Sequence, residues 1–240
     1  MTGIKDWQEL YLSSLGNFIN GVNFKSSQMG SGYKLINVKD VFLGEGKIRF
    51  DSLDLVNLEE TPKLKKYLVK KGDIFFVRSS VKYEGIGLTS IAERDDEDTV
   101  HCGFIIRFRL NSDQVNPLFL TYLLRSPIYR EKIRNLSSGT AIINISQKVL
   151  SKLAVKVPDI KTQNKIADIL SKYDDLIENN RRRIELLEES ARLLYREWFV
   201  HLRFPSHEHT PFIDGIPEGW KTKKLEDIAD ITMGQSPKSE

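Results

Sequence analysis

From Ile166 onward the chain places a seam of positions at intervals of four and three without a break: Ile166, Leu170, Tyr173, Ile177, Asn180, Ile184, Leu187, Ala191, Leu194 and Trp198. This is the heptad pattern by which one stripe of a helix faces another helix. Residues 166–199 contain neither glycine nor proline, and Asp159 or Thr162 can cap a helix that begins near Lys161. At ~1.5 Å per residue such a helix is roughly 55 Å long, more than the width of a small domain, so the pattern predicts a projecting coiled-coil helix. Asn180 puts an amide on the seam, which costs stability but penalises pairings that leave it unmatched and so fixes register and orientation. Ile169, Leu176, Leu186 and Leu193 lie off the narrow seam and widen the apolar surface, which predicts more than one neighbour. Arg181, Arg182 and Arg183 fall on the flanks and outer face, where solvation or ion pairing is the main reading and a phosphate or partner contact the alternative.

Before the helix the period changes. The runs 33–42, 72–80, 85–92 and 101–110 are rich in β-branched and aromatic residues, and FIIRFRL (104–110) alternates most clearly, so these are expected strands. TPKLKKYLVKKGD (61–73) has helical spacing ending at Gly72, and PLFLTYLLRSP and PIYREKIRNL read as helices opened by Pro117 and Pro127. KLAVKVP (152–158) reads as the last strand. The expectation is an α+β (mixed α/β) domain over residues 1–157, the long helix over 158–203, and a linker rich in proline and histidine over 204–218. A second unit then opens over 219–240. Its evidence is a repeat: WKTKKLEDIADITMGQSPK (220–238) aligns with WQELYLSSLGNFINGVNFK (7–25) at a constant offset of 213, pairing Trp7 with Trp220, Leu12 with Leu225, Leu15 with Ile228, Phe18 with Ile231 and Gly21 with Gly234.

Charge sharpens this division. Residues 1–157 hold 23 Lys+Arg against 17 Asp+Glu and residues 158–240 hold 13 against 16, so the formal net charge of +3 is +6 in the first part and −3 in the second. A basic domain is compatible with a polyanion, and with much else. The single cysteine, Cys102, excludes an internal disulfide framework. The start of the chain lacks the signature of a signal peptide and no window is apolar enough for a membrane span, so a cytoplasmic protein with no membrane partner is expected.

Catalytic constellations are scarce. NPLF (116–119) is similar to the N-P-P-[FY] motif of amino-methyltransferases, but Leu118 replaces its second proline and no glycine-rich cofactor turn follows an early strand; Pro117 is explained as a helix start. No phosphate-loop motif exists, which argues against nucleotide hydrolysis by this chain. His201, His207, Glu208 and His209 lack any ligand spacing of a known metal site, so the expectation is a solvated linker and no metal. Polar loops carry more. Lys25 in 23–34, Arg78, Ser79, Lys82 and Tyr83 in 78–85, and Ser138, Thr140, Asn144 and Lys148 in 135–148 are side chains that neutralise phosphates and bond base edges, though by composition each stretch is also an ordinary surface loop.

The succession WQELYLSSLGNFINGVNFKSS, GDIFFVRSS, SSGTAIINISQKVLSKLAVKVP and NKIADILSKYDDLIENNRRRIELLEESARLLYREWF resembles the specificity subunit of type I restriction-modification systems over essentially the whole chain. The most specific part is the passage from a terminal strand and proline into the IADIL helix. The resemblance implies a target recognition domain over 1–157, followed by the first of two long helices that pack antiparallel and hold two recognition domains apart on a split double-stranded DNA target. Its apolar surface, Ile166 through Trp198, would dock the methyltransferase (modification) subunits, and through them the restriction subunit. The chain would carry no catalytic residue; S-adenosylmethionine, ATP and Mg would belong to the partner subunits. Only the opening of a second recognition domain follows here, so a truncated member is implied, completed by a second copy as a homodimer or by a separately encoded half-subunit. A freestanding adenine DNA methyltransferase, a coiled-coil scaffold and an inactive fragment remain as alternatives.

Overall fold

The alternation in FIIRFRL builds one of the two inner strands of a four-stranded antiparallel sheet that is covered on both faces. The structure, a computed structural model, describes residues 7–137 and 143–234. It forms two compact units, Met1–Tyr173 and Asp174–Glu240. In chain order the first unit contains β1 (Gln8–Tyr11), α1 (Leu12–Leu15), β2 (Gly16–Asn20), β3 (Met29–Ile36), α2 (Val38–Leu43), β4 (Asp54–Val56), β5 (Ile74–Val77) and β6 (Ser79–Ser80). There follow β7 (Thr89–Ile91), β8 (Thr99–His101), β9 (Ile105–Leu110), α3 (Pro117–Arg125), α4 (Pro127–Asn135), β10 (Ile143–Asn144), α5 (Gln147–Ser151), β11 (Ala154–Val157) and the start of α6 (Ile160–Tyr195). The expected mixed α+β domain and long helix are both present.

The sheet order is β2-β9-β5-β7. Ile74 and Phe76 of β5 and Ile106 and Phe108 of β9 join α1, α3 and α4 in one core. Phe75, Val77 and Ile105 face the other way, into a second core with Leu35, Ile36, Val56 and Val100 from the sheet β4-β3-β8. Every residue of β5 is therefore buried. Arg107 and Arg109 share the parity of Ile105, and a guanidinium on that side needs a partner. Asp73, fully buried, supplies one: Arg109 Nε and Nη2 donate to its two oxygens at 2.6 and 2.7 Å. Both arginines also donate to the carbonyl of Leu68, at 3.2 and 2.9 Å. His101 lies beside the rings of Phe75 and Tyr67, at 5.5 and 6.2 Å between centroids. Burial above all, and then the charge of Arg107, pulls its pKa down to about 3, so the imidazole is neutral.

Three expected elements are corrected. The run 33–42 is not one strand: β3 ends at Ile36 and the chain turns into α2, where Asp40 Oδ2 accepts from Asn37 N at 2.7 Å and closes a capping box. The helix expected over 61–73 is only a 3₁₀ turn, Leu64–Tyr67. Its continuation fails because the carbonyls of Lys66 and Leu68 accept from arginine side chains and Val69 N donates to Thr99 O at 3.1 Å, so tertiary bonds replace the helical ladder. The run 101–110 is divided between β8 and β9 by a turn at Gly103.

β1 pairs antiparallel with β11, from Gln8↔Val157 to Tyr11↔Ala154, so the domain closes where α6 begins. Asp159 caps that helix, accepting from Thr162 N at 3.0 Å and from Thr162 Oγ1 at 2.6 Å. One turn later Gln163, fully buried, uses its amide three ways. Its Nε2 donates to the carbonyls of Gln114 (3.0 Å) and Pro158 (2.8 Å), and its Oε1 accepts from Asn116 N (2.9 Å). Ala167 and Ile166 pack on the first core beside it.

In the second unit α6 runs to Tyr195 and ends in one π-helical turn, Arg196–Val200. Asp214 and Gly215, both with positive φ, form the two-residue turn of a small hairpin, β12 (Phe212–Ile213) and β13 (Ile216–Pro217). Trp220 stacks on Phe204 at 5.4 Å and lies tilted against Phe199 at 5.9 Å, whereas Trp7 in the first unit meets Phe119 edge-on at 6.4 Å. The repeat goes no further in burial: Leu12 and Leu15 are buried, whereas their counterparts Leu225 and Ile228 are exposed. Among the described residues no group of three His, Cys, Asp or Glu side chains is placed to hold a metal ion, and no helix is long and apolar enough to cross a membrane.

Candidate nucleic-acid interface

At the end of β5 the chain leaves the sheet through Arg78, whose backbone is held on both sides: its N–H donates to Phe104 O at 2.8 Å and its carbonyl accepts from Ile145 N at 2.9 Å. β6 then pairs with β10, Ser79 opposite Asn144, and Ser79 Oγ donates to Asn144 Oδ1 at 2.5 Å. The Arg78 guanidinium donates to Gly103 O at 3.2 Å, and Gly103 N donates to Val22 O at 2.8 Å. On the opposite flank the Gln147 amide lies 2.8 Å from Asn20 Oδ1. Four stretches distant in sequence thus converge at one end of the first unit: the exit of β2, the β5–β6 join, the β8–β9 turn, and β10 with α5.

Of the residues expected to meet DNA, the fold brings Arg78, Ser79 and Asn144 together directly. Lys82 and Tyr83 follow from β6, where Lys82 N donates to Ser80 Oγ at 3.1 Å and the Arg134 guanidinium covers the Tyr83 ring at 5.5 Å. Lys25 lies two residues beyond Asn23, whose side chain abuts Gly103, and Lys148 lies next to Gln147; both are exposed. Ser138 and Thr140 lie outside the described residues.

Two features escape a motif search. Residues 16–39, 74–83, 99–112 and 132–158, which contain the converging stretches, have no aspartate or glutamate at all. The absence of acid across four separate windows is the signal that was available, and it favours an anionic partner. The second is Arg130 of α4, whose Nη2 donates to the carbonyls of Glu84 (2.7 Å) and Ile86 (2.9 Å) and so fixes the turn after Tyr83. Burial foremost, with repulsion from Arg134 and Arg125, lowers its pKa to about 10, and it stays charged at neutral pH. Its spacing of three from buried Ile133 marks it as inward-facing.

Asn116 is engaged otherwise than an amine-binding residue would be. Its Oδ1 accepts from Leu118 N and Phe119 N at 2.9 and 3.0 Å as the cap of α3, and its Nδ2 donates to Asn164 Oδ1 at 2.8 Å. On α6, Ile166 is half-buried against its own domain, whereas Leu170, Tyr173, Ile177, Ile184, Leu187 and Leu194 are exposed, with Asn180 among them, as is Trp198 in the π-helical turn that follows. Leu187 reaches 68% exposure. The off-seam residues Ile169, Leu176, Leu186 and Leu193 are exposed as well. Apolar exposure on this scale marks an association surface.

Residues 4–189 match the family described as the type I restriction modification DNA specificity domain. Over 244 residues the chain is 30% identical to the MjaX type I restriction enzyme specificity subunit of Methanocaldococcus jannaschii, a match covering 98% of this chain and 56% of that protein. It is 32% identical over 166 residues to the HindI specificity subunit of Haemophilus influenzae, covering 67% of this chain and 35% of the other. The crystal structure of a type I restriction-modification S subunit from M. genitalium shares the fold with a TM-score of 0.59 at 19% identity, over 85% of this chain and 48% of that one. The chain therefore spans only about half the length of the first of these relatives.

Proposed function

Because this chain belongs to the type I restriction-modification DNA specificity domain family, we propose that it selects the DNA site on which catalytic subunits act. The first unit reads one half of a split double-stranded target through the acid-free end where Arg78, Ser79, Lys82, Tyr83 and Asn144 gather, with Lys25 and Lys148 on its flanks and Ser138 and Thr140 within the same stretch of chain. Cationic side chains there hold phosphates and set register; the Ser79–Asn144 pair offers the donors and acceptors that read base edges. The convergence of four carboxylate-free stretches is the observation that carries the reading.

The exposed seam of α6 receives the methyltransferase subunits and a second long helix, supplied by another copy of this chain or by a separate half-subunit. Methyl transfer from S-adenosylmethionine belongs to the methyltransferase subunits, and ATP- and Mg-dependent work to the restriction subunit that joins through the complex. The engagement of Asn116 as a helix cap counts against a freestanding methyltransferase.

The test is the solution mass of the purified chain, alone and mixed with the methyltransferase subunit encoded beside it, followed by mapping of methylated adenines. A dimer that joins two methyltransferase subunits and marks a symmetric split site is the expected result. A chain that stays monomeric, takes up no methyltransferase and binds no duplex specifically overturns the proposal.

A further inference from the structure

Beside the polar end lies an apolar hollow of about 430 Å³. Val38 and Phe42 of α2 form one wall, Val81 and Phe104 the others, and Ser79 and Lys82 stand at the rim. These walls face solvent, Val81 at 80% exposure and Phe104 at 63%. An isolated exposed valine needs no explanation. Apolar side chains from three separate segments, meeting beside the Arg78–Lys82 stretch, do.

The backbone beneath the hollow is held at two places: Arg78 N donates to the Phe104 carbonyl, and Arg130 donates to the carbonyls of Glu84 and Ile86 in the turn after Val81. Gly85 admits the ring of Phe42, since a Cβ there would collide with that ring and with Ser80 Oγ. The hollow is open and wider than one methyl group, and its apolar walls beside Lys82 suit an apolar group carried next to hydrogen-bond acceptors on an anionic scaffold. In the major groove one base carries that combination: thymine, whose 5-methyl group adjoins the O4 acceptor.

We propose that this hollow receives the 5-methyl group of a thymine in the recognised half-site, with the Lys82 ammonium beside it as the donor for the adjoining O4. The proposal rests on the DNA-reading function above. It makes Phe104 and Val81 specificity-determining residues.

The test begins with the duplex selected from a random pool by the chain together with its methyltransferase subunit. Each thymine of the half-site is then replaced by deoxyuridine, which lacks only the methyl group. At one position the substitution weakens binding about three- to tenfold, the size expected for one buried methyl group. In Phe104→Ala or Val81→Ser the thymine and uracil duplexes bind alike; Val81→Ser alters an exposed side chain and keeps the test open where Phe104→Ala fails to fold. A half-site without thymine, indifference to every uracil substitution, or an unchanged thymine-to-uracil ratio in Val81→Ser overturns the inference and leaves the DNA-reading function standing. Failure of the unaltered complex to bind any duplex specifically overturns both.

Discussion

Asp73 reaches Arg109 with both carboxylate oxygens from a site without solvent exposure, and Arg107 lies within 4.0 Å of the same group. Asp73→Ala leaves Arg107 buried and Arg109 partly buried, with only backbone carbonyls for partners. Removing one member of a buried pair costs about 3–5 kcal/mol, and urea unfolding of the variant is expected to show a loss at or below the lower end of that range. His101 gives a pH-dependent counterpart. Its folded pKa of about 3 lies below the ordinary value of 6.5, so between these values the unfolded chain binds a proton that the folded chain refuses. The neutral imidazole's contribution is complete above pH 6.5 and is lost as pH falls toward 3, by about 1.4 kcal/mol per pH unit. His101→Phe should remove this component, and unfolding free energies measured from pH 7 to pH 4 will show a shallower decline than in the unaltered chain.

At the scale of elements, the proposed reading edge is the β6–β10 pair and the turn after it, and substitutions there should act on binding rather than on folding. Arg78→Ala with Lys82→Ala is expected to weaken specific duplex binding by about ten- to a hundredfold and to reduce the slope of log affinity against log salt by up to ~2, with little change in thermal stability. Equal binding by the double variant at every salt concentration would place the reading edge elsewhere. Much of this architecture was legible in the chain: the seam of α6, the alternation of β9 and the proline-led α3 and α4 all follow local rules. What misled was local propensity overruled from a distance. Val38 and Val41 look like strand residues until the Asn37–Asp40 capping box is seen, and 61–73 looks helical until Arg107 and Arg109 take its carbonyls. For the candidate site, Arg78, Ser79 and Asn144 are recognisable by residue type, but their contact depends on a pairing across more than sixty residues. The apolar hollow was illegible because Phe42, Val81 and Phe104 come from three segments, none with a pattern of its own.

On the scale of the whole molecule, the distance between half-sites should depend on α6 and the bases read should not. Duplicating residues 177–183 adds one heptad, keeps the seam continuous and lengthens the helix by about 10 Å. The methylated sites of such a variant are expected to keep both half-site sequences and to gain about three base pairs of spacer, at ~3.4 Å each; an unchanged spacer would mean that the helix does not set it. The clamp at Gln163 takes on another meaning in this light. An α-helix of 36 residues is about 54 Å long, so a swing of one degree at its root carries the far end through about 1 Å. To tell one spacer from the next the joint must hold its angle to within three or four degrees, less than the angle a watch hand covers in a second. At that root the buried Gln163 amide bonds three backbone groups of the first unit, and Gln163→Ala is expected to broaden the range of spacers methylated. Under the proposed function, the precision of spacing becomes an angular tolerance at the root of α6, where Gln163 is bonded beside the Asp159 cap and the packed Ile166 and Ala167.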